Sequence, residues 1–343
     1  MVKHINRALP AKPHTAMYLT HKFWGRKPHN VVATYINTYS QPNNIVLDPF
    51  LGSGVTAIES LRLKRRAVAM DLNPLSILLT KVMVLPVKVE ELDRAFSRLA
   101  NELRDKINEF YKTKCRKCGA AAIGLNFIWS SKAECPKCRA SVTSISASKR
   151  KEERSTFQCP NCASDVVIGE TAPKELVQVQ YKCLACGAGK KKSEQAPPSP
   201  DDMQKIAEVE SRPIPYWYPQ DKFSYEHGQH FQEARNLDNV SDLFTKRNLH
   251  SLALILDAIE KELEGKVGDV FTVVFTSCLE QASKLNAVDL RKGRELQTRG
   301  WTMYRYWVAP TVIERNVWDA FEDRYRKMKR AKIESNKQIP KVA

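Results

Sequence analysis

Asn44-Ile-Val-Leu-Asp48 runs directly into Pro49-Phe-Leu-Gly-Ser-Gly54, and this stretch decides the fold. A short apolar run closed by proline and a glycine turn is typical of a buried strand. We expect a helix over residues 54–62, a second strand over Arg66–Asp71 and another helix opened by Asn73-Pro74. Strand, helix and strand in this order predict a βαβ unit and a parallel sheet.

The turn after the first strand has the composition of a ligand-binding loop. Gly52 and Gly54 let the backbone approach a ligand more closely than a Cβ would allow. Asp71 ends the second strand, where an acidic side chain accepts hydrogen bonds from ribose hydroxyls in nucleotide-binding βαβ units. A glycine turn alone would also fit a tight turn without a ligand. The preceding Asp-Pro-Phe, the spacing of Asp71 and the following Asn73-Pro74 together favour a cofactor site.

The run Asp48-Pro-Phe-Leu-Gly-Ser-Gly54 resembles motif I of the amino-directed DNA methyltransferases. This resemblance implies a Rossmann-like α/β fold that binds S-adenosyl-L-methionine and methylates adenine N6 or cytosine N4 in double-stranded DNA. It also implies that Asp71 holds the ribose of the cofactor. The cofactor-binding residues implied by the resemblance are Asp48, Pro49, Phe50, Gly52, Ser53, Gly54, Asp71 and Asn73.

The aromatic and basic segment His21–Pro28 resembles the motif X region that precedes motif I in some of these enzymes. Trp24 and Lys27 thereby become candidates for contacts near the methionine carboxylate, although a loop that only packs on the sheet would have a similar composition. Residues 214–219, 243–249 and 299–305 extend the resemblance to a family of zinc-ribbon-containing bacterial and archaeal DNA methylases. Each of these three stretches fits an ordinary loop, helix start or turn equally well.

The catalytic tetrapeptide of this family, [Asp/Asn/Ser]-Pro-Pro-[Tyr/Phe/Trp], does not occur in the sequence. In the family its polar side chain and prolyl carbonyl accept hydrogen bonds from the target amine, and its aromatic ring stacks on the flipped base. We therefore expect no catalytic residue in this chain and a partial sheet. A second methyltransferase subunit would complete the sheet and supply the loop, as in a split enzyme. The alternative is a non-catalytic zinc-ribbon DNA-binding or regulatory subunit with a relic methyltransferase fold.

Eight of the nine cysteines form four CxxC pairs, which in a reducing cytosol indicate metal ligands rather than disulfides. Two pairs complete one tetrahedral Cys₄ zinc site, so four pairs predict two structural Zn²⁺ ions without an open position for catalysis. The spacing favours consecutive pairing, but the middle interval also permits nesting of the inner pairs within the outer ones. The predicted ligands are Cys115, Cys118, Cys135, Cys138, Cys159, Cys162, Cys183 and Cys186.

The formal charge of +17 is concentrated in residues 112–192 and 291–343. Such clustering suits a polyanionic partner, DNA or equally RNA on charge alone, although a solvated basic surface has the same composition. Candidate phosphate contacts are Lys149, Arg150, Lys151, Lys190, Lys191 and Lys192, with a solvated loop as the equal alternative. The apolar runs are too short to span a bilayer, and we expect no membrane association and a cytoplasmic, nucleoid-associated protein.

Four regions are expected along the chain. A cofactor-binding core covers residues 1–111, and it ends in a long amphipathic helix over 91–112. An inserted two-zinc ribbon module and candidate target-recognition region covers 112–194. A Pro-rich linker covers 195–202. Residues 203–343 form helical additions and a basic C-terminal segment that packs on the core or the partner. Helices are expected over 30–39, 242–263 and 318–332, whereas 268–285 is apolar and of ambiguous type.

Overall fold

The computed structural model describes residues 4–149, 155–189, 193–231, 234, 236–289, 297–300 and 306–339, and shows a mixed α/β protein. The chain forms two compact units. The first unit comprises Met1–Glu102, Leu256–Cys278 and Phe321–Ala343, and the second comprises Leu103–Ile255 and Leu279–Ala320. None of the described helices combines the length and the apolar character that a membrane span requires.

The helices begin and end close to the predicted positions, and the ambiguous apolar stretch is helical. The α-helices are α1 (His29–Tyr39), α2 (Val55–Arg62), α3 (Pro74–Val84), α4 (Val89–Glu109), α5 (Pro200–Ser211), α6 (Lys246–Glu262), α7 (Gly265–Ala282) and α8 (Val317–Gln338). Short 3₁₀ helices cover Ala16–Tyr18 and Val240–Leu243.

The strands are concentrated in the second unit. They are β1 (Ile45–Asp48), β2 (Arg66–Ala69), β3 (Lys112–Lys114), β4 (Ala121–Glu134), β5 (Ser141–Thr143), β6 (Ser148–Lys149), β7 (Thr156–Gln158), β8 (Asp165–Val167), β9 (Lys174–Lys182), β10 (Glu194–Ala196), β11 (Asn286–Asp289), β12 (Gln297–Gly300) and β13 (Thr311–Arg315).

The predicted βαβ unit is confirmed in the first unit. β1 and β2 pair in parallel, with Ile45 opposite Arg66 and Asp48 opposite Ala69, and α2 connects them. Asn73 caps α3 because its side-chain oxygen accepts a hydrogen bond from the Leu75 N–H at 2.9 Å. The carboxyl ends of both strands therefore lie side by side, and each leads into the start of a helix.

Helix packing forms the core of the first unit. Leu92 and Leu99 of α4 are fully buried, as the predicted amphipathic pattern requires. The ring of Phe96 stacks on Tyr325 of α8 with a centroid distance of 4.1 Å. Lys332 of α8 is also buried, and its ammonium donates to the carbonyl oxygens of Val82 and Leu85 at 2.9 and 2.7 Å. This lysine satisfies carbonyl groups at the end of α3 that have no partner within the helix.

One face of the β1–β2 sheet is open, although the first strand was predicted to be buried. Ile45, Leu47, Val68 and Met70 are 57, 61, 47 and 51% exposed. In the register of the sheet, Leu47 pairs with Val68, so these side chains form one apolar surface. Within the part of the chain that the structure describes, the sheet consists of these two strands.

The second unit is built on an antiparallel sheet of eight strands. β4 lies at its centre and pairs with β9 on one side and with β13 on the other. Phe127 and Ile128 of β4, Val179 of β9 and Val312 of β13 are buried in the core. Since β11, β12 and β13 belong to this sheet, the second unit extends well beyond the predicted insert over 112–194. A separate three-stranded sheet has the order β6-β7-β8.

The predicted linker over 195–202 is wrong. Gln195 and Ala196 belong to β10, which pairs with β9, and α5 begins at Pro200. Ser199 and Asp202 form a capping box, in which the Ser199 hydroxyl accepts from the Asp202 N–H and the Asp202 carboxylate accepts from the Ser199 N–H. The Ser-Pro-Asp-Asp sequence that resembles a linker is thus a helix start, with serine as N-cap and proline at the first position.

Candidate cofactor site and metal centres

The loop between β1 and α2 is shaped by its own hydrogen bonds. The Asp48 carboxylate accepts from the Phe50 N–H at 3.1 Å, which turns the chain immediately after the strand. The Leu51 N–H donates to the Met70 carbonyl, and the Gly54 N–H donates to the Leu51 carbonyl, both at 3.0 Å. These bonds fix the loop against the carboxyl end of β2.

Two positions in this loop require glycine. Gly52 and Gly54 have φ values of +54° and +81°, a region in which residues with a Cβ are strained. A Cβ on Gly54 would also stand 3.1 Å from Cβ of Thr80 and still closer to its hydroxyl. Gly54 therefore allows the start of α2 to pack directly on α3, whereas the sequence predicted only the close approach of a ligand at this position.

Asp71 joins the loop to the end of β2. Its carboxylate accepts from the Gly52 N–H at 2.7 Å and from the Asn73 N–H at 2.8 Å. The N–H groups of Asn73 and Gly52 hold the pKa of Asp71 below its usual value, because they stabilise the charged form. The Ser76 hydroxyl and the Leu72 N–H act on this pKa in the same direction. Asp71 is thus held in place, and its charged form is favoured.

Phe50 in the loop and Leu72 next to Asp71 are large apolar side chains, and both are exposed. Phe50 is 86% exposed, and Leu72 is fully exposed. Leu72 directly follows the acidic strand end, where a side chain would contact the base of a nucleoside whose ribose met the Asp71 carboxylate. Leu72 is absent from the predicted site residues, and its position next to Asp71 was the sequence signal that could have found it.

The segment His21–Pro28 meets the loop through residues other than the two predicted. Arg26 Nε donates to the Ser53 hydroxyl at 3.3 Å, and burial lowers the pKa of Arg26. The ring of Phe23 lies 3.5 Å from the place where a Cβ on Gly52 would stand. Trp24 and Lys27 are both exposed. The structure thus brings Phe23 and Arg26 to the loop, and an arginine there can meet an anionic group of a ligand.

The eight paired cysteines form two groups of four, and their pairing is nested. The outer group combines Cys115 and Cys118 with Cys183 and Cys186, and the inner group combines the pairs at 135/138 and 159/162. The favoured consecutive pairing is therefore wrong. The long strands β4 and β9 are antiparallel neighbours, so the segments that flank them come together at each end of the pair. Interval length alone does not contain this information. Cys278 is buried.

The geometry of both groups fits a tetrahedral zinc ion. In the outer group the Sγ atoms of Cys115 and Cys186, and those of Cys118 and Cys183, lie 3.7 Å apart. The corresponding distances in the inner group are 3.6 Å. Zinc–sulfur bonds of about 2.3 Å in tetrahedral geometry place sulfur atoms about 3.8 Å apart. The sulfur positions therefore match the edges of a Cys₄ zinc site.

Each group contains a thiol that favours the thiolate form needed by a metal. Burial raises the pKa of Cys115, but the N–H groups of Cys118 and Lys117 outweigh it and lower the value to about 6. The hydroxyl and N–H of Ser164 lower the pKa of Cys162 to about 6. These donors belong to the tight turns of the CxxC loops, so the turn geometry prepares the ligands.

The candidate phosphate contacts fall largely where the structure gives no placement. Arg150, Lys151, Lys190, Lys191 and Lys192 lie outside the described residues, and only the backbone of Lys149 is described. Part of the family-like stretch at 299–305 also lies outside them. These phosphate contacts and the family resemblance of residues 299–305 remain predictions.

Comparison with known proteins agrees with the geometry of the loop. Residues 6–81 match the family model described as DNA methylase, which covers the N6 and N4 methylases. This segment therefore resembles the amino-directed DNA methylases. It contains α1, β1, the glycine loop, β2, Asp71 and most of α3, and therefore the whole candidate cofactor site.

The comparisons with curated proteins and with solved structures give less support than the family model does. Over 47 residues the chain is 43% identical to the type II methyltransferase M1.MboII of Moraxella bovis. That match spans 14% of this chain and 18% of the relative, so the chain matches under a fifth of the length of that methyltransferase. No solved structure matches the chain significantly.

Proposed function

We propose that the first unit is the S-adenosylmethionine-binding part of a Rossmann-like DNA methyltransferase. In this proposal it acts in methyl transfer to adenine N6 or cytosine N4 of double-stranded DNA. One observation carries the proposal: Asp71 is fixed by the N–H groups of Gly52 and Asn73 at 2.7 and 2.8 Å, within the segment that matches the DNA methylases.

The residues of the site suit the parts of this cofactor. The Asp71 carboxylate would accept hydrogen bonds from the ribose hydroxyls, and the exposed side chains of Phe50 and Leu72 would contact the adenine ring. Arg26, held against Ser53 of the loop, would pair with the methionine carboxylate. When bound, S-adenosylmethionine supplies a methyl group activated by its sulfonium. This chain would position that group and exclude water from it.

We also propose that a second polypeptide completes the sheet and carries the catalytic loop. The apolar surface of Ile45, Leu47, Val68 and Met70 supports this step, because a parallel sheet is ordinarily covered on both faces. A methyltransferase half with further parallel strands and helices would bury that surface. It would also bring its [Asp/Asn/Ser]-Pro-Pro-[Tyr/Phe/Trp] loop to the strand ends where the cofactor site lies.

In the second unit we propose two structural zinc sites and a role in target recognition. The matching sulfur distances support the zinc sites, and a closed Cys₄ site acts by stabilising the fold. The basic composition of residues 112–192 supports DNA contact through phosphates.

Photochemical cross-linking tests the cofactor site. Ultraviolet irradiation of the zinc-loaded chain with methyl-labelled S-adenosylmethionine should label the peptide that contains Phe50 or the one that contains Leu72. Excess S-adenosylhomocysteine should suppress the label, and Asp71→Ala should abolish it. Asp257→Ala is the matched control, because Asp257 lies outside the loop and its one ion pair among the described residues is with Lys261. Labelling elsewhere, or labelling that S-adenosylhomocysteine does not suppress, would reject the site. An absence of label together with zinc-dependent DNA binding would favour the regulatory subunit with a relic fold.

A further inference from the structure

A cavity of about 520 Å³ lies within the second unit and takes no part in the proposed cofactor chemistry. Its volume is in the range of small-molecule sites in proteins. Trp129 of β4 and Phe244 before α6 contribute aromatic walls, and Val312 of β13 adds an aliphatic one. Lys174 and Lys284 also line the cavity, so it combines apolar walls with two ammonium groups.

Lys174 is held in one position by neutral oxygen atoms. Its ammonium donates to the Ser131 hydroxyl at 2.7 Å and to the carbonyl oxygens of Ala309 and Pro310 at 2.8 and 3.1 Å. None of these acceptors carries a charge. The positive charge of Lys174 is therefore fixed at the wall of the cavity, and no residue of the described ranges places a counter-ion in direct contact with it.

Lys284 follows α7 and has no comparable set of acceptors. Its backbone N–H donates to the Leu243 carbonyl at 2.7 Å, which anchors the residue at the cavity. Its ammonium has no hydrogen-bonded or ion-paired partner within the described part of the chain. A lysine in such a position keeps its three donors available for a ligand.

The carboxylates of the cavity leave this positive charge only partly balanced. Glu314 is already engaged, since it pairs with Arg247 at 2.6 Å and accepts from Trp129 Nε1 at 2.7 Å and from the Thr245 hydroxyl at 2.6 Å. Glu170 and Glu210 also line the cavity, together with Lys246. Among the described residues that line the cavity, Arg247 and Glu314 compensate each other, and three lysines face the two remaining glutamates.

Burial lowers the pKa of Lys174 to about 8, with the nearby charge of Lys284 as the second cause. Burial also lowers the pKa of Lys284, although Asp242, Glu314 and Glu210 oppose this effect. Two ammonium groups that are partly removed from water and close to each other are relieved by a bound anion.

We propose that this cavity binds a small phosphate-bearing ligand between Lys174 and Lys284. The Lys284 ammonium donates to the phosphate oxygens, and the charge of Lys174 attracts them. Any organic part of the ligand lies against Trp129 and Phe244. Inorganic phosphate and a mononucleotide share the required chemistry. This site belongs to the second unit alone and does not depend on the proposed cofactor site.

Calorimetric titration of the zinc-loaded chain tests this proposal, with inorganic phosphate and adenosine 5′-monophosphate as probes and adenosine as the uncharged control. We expect one site per chain that both phosphate-bearing probes occupy and for which excess adenosine does not compete, and a loss of affinity at this site of about tenfold or more in Lys284→Met. Lys284→Arg should retain most of the affinity. Lys222→Met is the matched control, because Lys222 is exposed and lies outside the cavity, and it should bind as the unmodified chain does. Tighter binding of the mononucleotide would identify a nucleotide site, and equal binding would identify a phosphate site.

The melting temperature without ligand gives a second readout. Replacing an ammonium that has no counter-ion by an apolar side chain should raise the melting temperature in Lys284→Met. The proposal is overturned if neither probe binds, or if Lys284→Met binds as tightly as the unmodified chain. If Lys284→Met fails to fold, Lys284→Gln serves as the neutral variant and must show the same loss of affinity.

Discussion

The two main sheets of this protein differ in how completely they are buried. The eight-stranded sheet of the second unit encloses Phe127, Ile128 and Val312 in its own core, whereas the β1–β2 sheet of the first unit leaves Leu47 and Val68 about half exposed. Both sheets contain β-branched residues, which favour strands with at least one buried face. The second unit therefore buries its apolar strands by itself, whereas the first unit leaves an apolar surface that the proposed second polypeptide would cover.

Interactions other than apolar packing also stabilise the fold of the second unit. One cysteine group lies at each end of the β4–β9 strand pair. A buried Arg247–Glu314 ion pair lies beside Phe127. Within the described residues, the β1–β2 sheet has neither a cysteine group nor a buried ion pair. Its organisation comes from backbone hydrogen bonds, two glycines and the Asp71 carboxylate. The following predictions compare these sources of order, from the largest expected effect to the smallest.

Zinc removal should have the largest effect, because structural zinc contributes about 10–16 kcal/mol to folding in small zinc domains. We expect a strong chelator to remove the β-sheet signal of the second unit in circular dichroism, and zinc to restore it. Retention of the full signal after complete loss of zinc would show that the sheet closes without metal.

Crossed cysteine variants test the nested pairing. Cys118→Ser combined with Cys186→Ser damages one nested site, so the chain should retain one zinc ion in metal analysis. Cys118→Ser combined with Cys138→Ser damages both nested sites and should leave neither intact. Consecutive pairing predicts the opposite result for the two double variants, which makes each the control of the other.

The buried ion pair ranks next. Glu314→Gln leaves the buried Arg247 charge without its partner and should reduce the free energy of unfolding by about 3–5 kcal/mol. Glu175→Gln is the matched control. Its partner Lys132 is 41% exposed, and exposed pairs contribute about 0–1 kcal/mol. Chemical denaturation measures both variants. Equal small losses would show that the pair does not stabilise the closed sheet.

Gly54→Ala should have an intermediate effect on the first unit. A positive φ at a residue with a Cβ costs about 1–3 kcal/mol, and the clash with Thr80 adds to this cost. Thr80→Ala in the same chain should restore part of the loss, because it removes the hydroxyl and the methyl group that the new Cβ would meet. Thermal denaturation of the single and double variants measures the difference. A neutral Gly54→Ala variant would contradict the described loop.

Leu47→Ser on the open face should have the smallest effect on the isolated chain, within about 0.5 kcal/mol. Ile128→Ser in the buried sheet is the matched control and should cost several times more. A large loss of stability in Leu47→Ser would show that this face is already covered and that the two sheets do not differ in burial.

Much of the cofactor site could be predicted from the sequence because it is local. The strand, glycine turn, helix and acidic strand end occupy residues 44–74, and backbone geometry alone brings Gly52 close to Asp71. The resemblance that named the cofactor rests on the same short stretch. Helix boundaries such as that of α3 were equally accessible, since Asn73-Pro74 is a cap and first-position signal.

The contacts between distant segments could not be predicted in this way. The pairing of the cysteines depends on how β4 and β9 align, and β13 joins their sheet from more than 100 residues away along the chain. Arg26 reaches Ser53 through the path of the entry segment, while the sequence pattern favoured Trp24 and Lys27. The supposed linker was misread because serine, proline and aspartate serve both as linker residues and as helix caps.

Calorimetric titration of S-adenosylmethionine into the zinc-loaded chain tests the central claim most directly. We expect one molecule of S-adenosylmethionine to bind per chain. Asp71→Ala should lose affinity by about tenfold or more, while Asp257→Ala should bind as the unmodified chain does. If S-adenosylmethionine does not bind, either to the chain alone or together with a co-purifying partner, the first unit is not a cofactor site and the proposed methyltransferase function is contradicted.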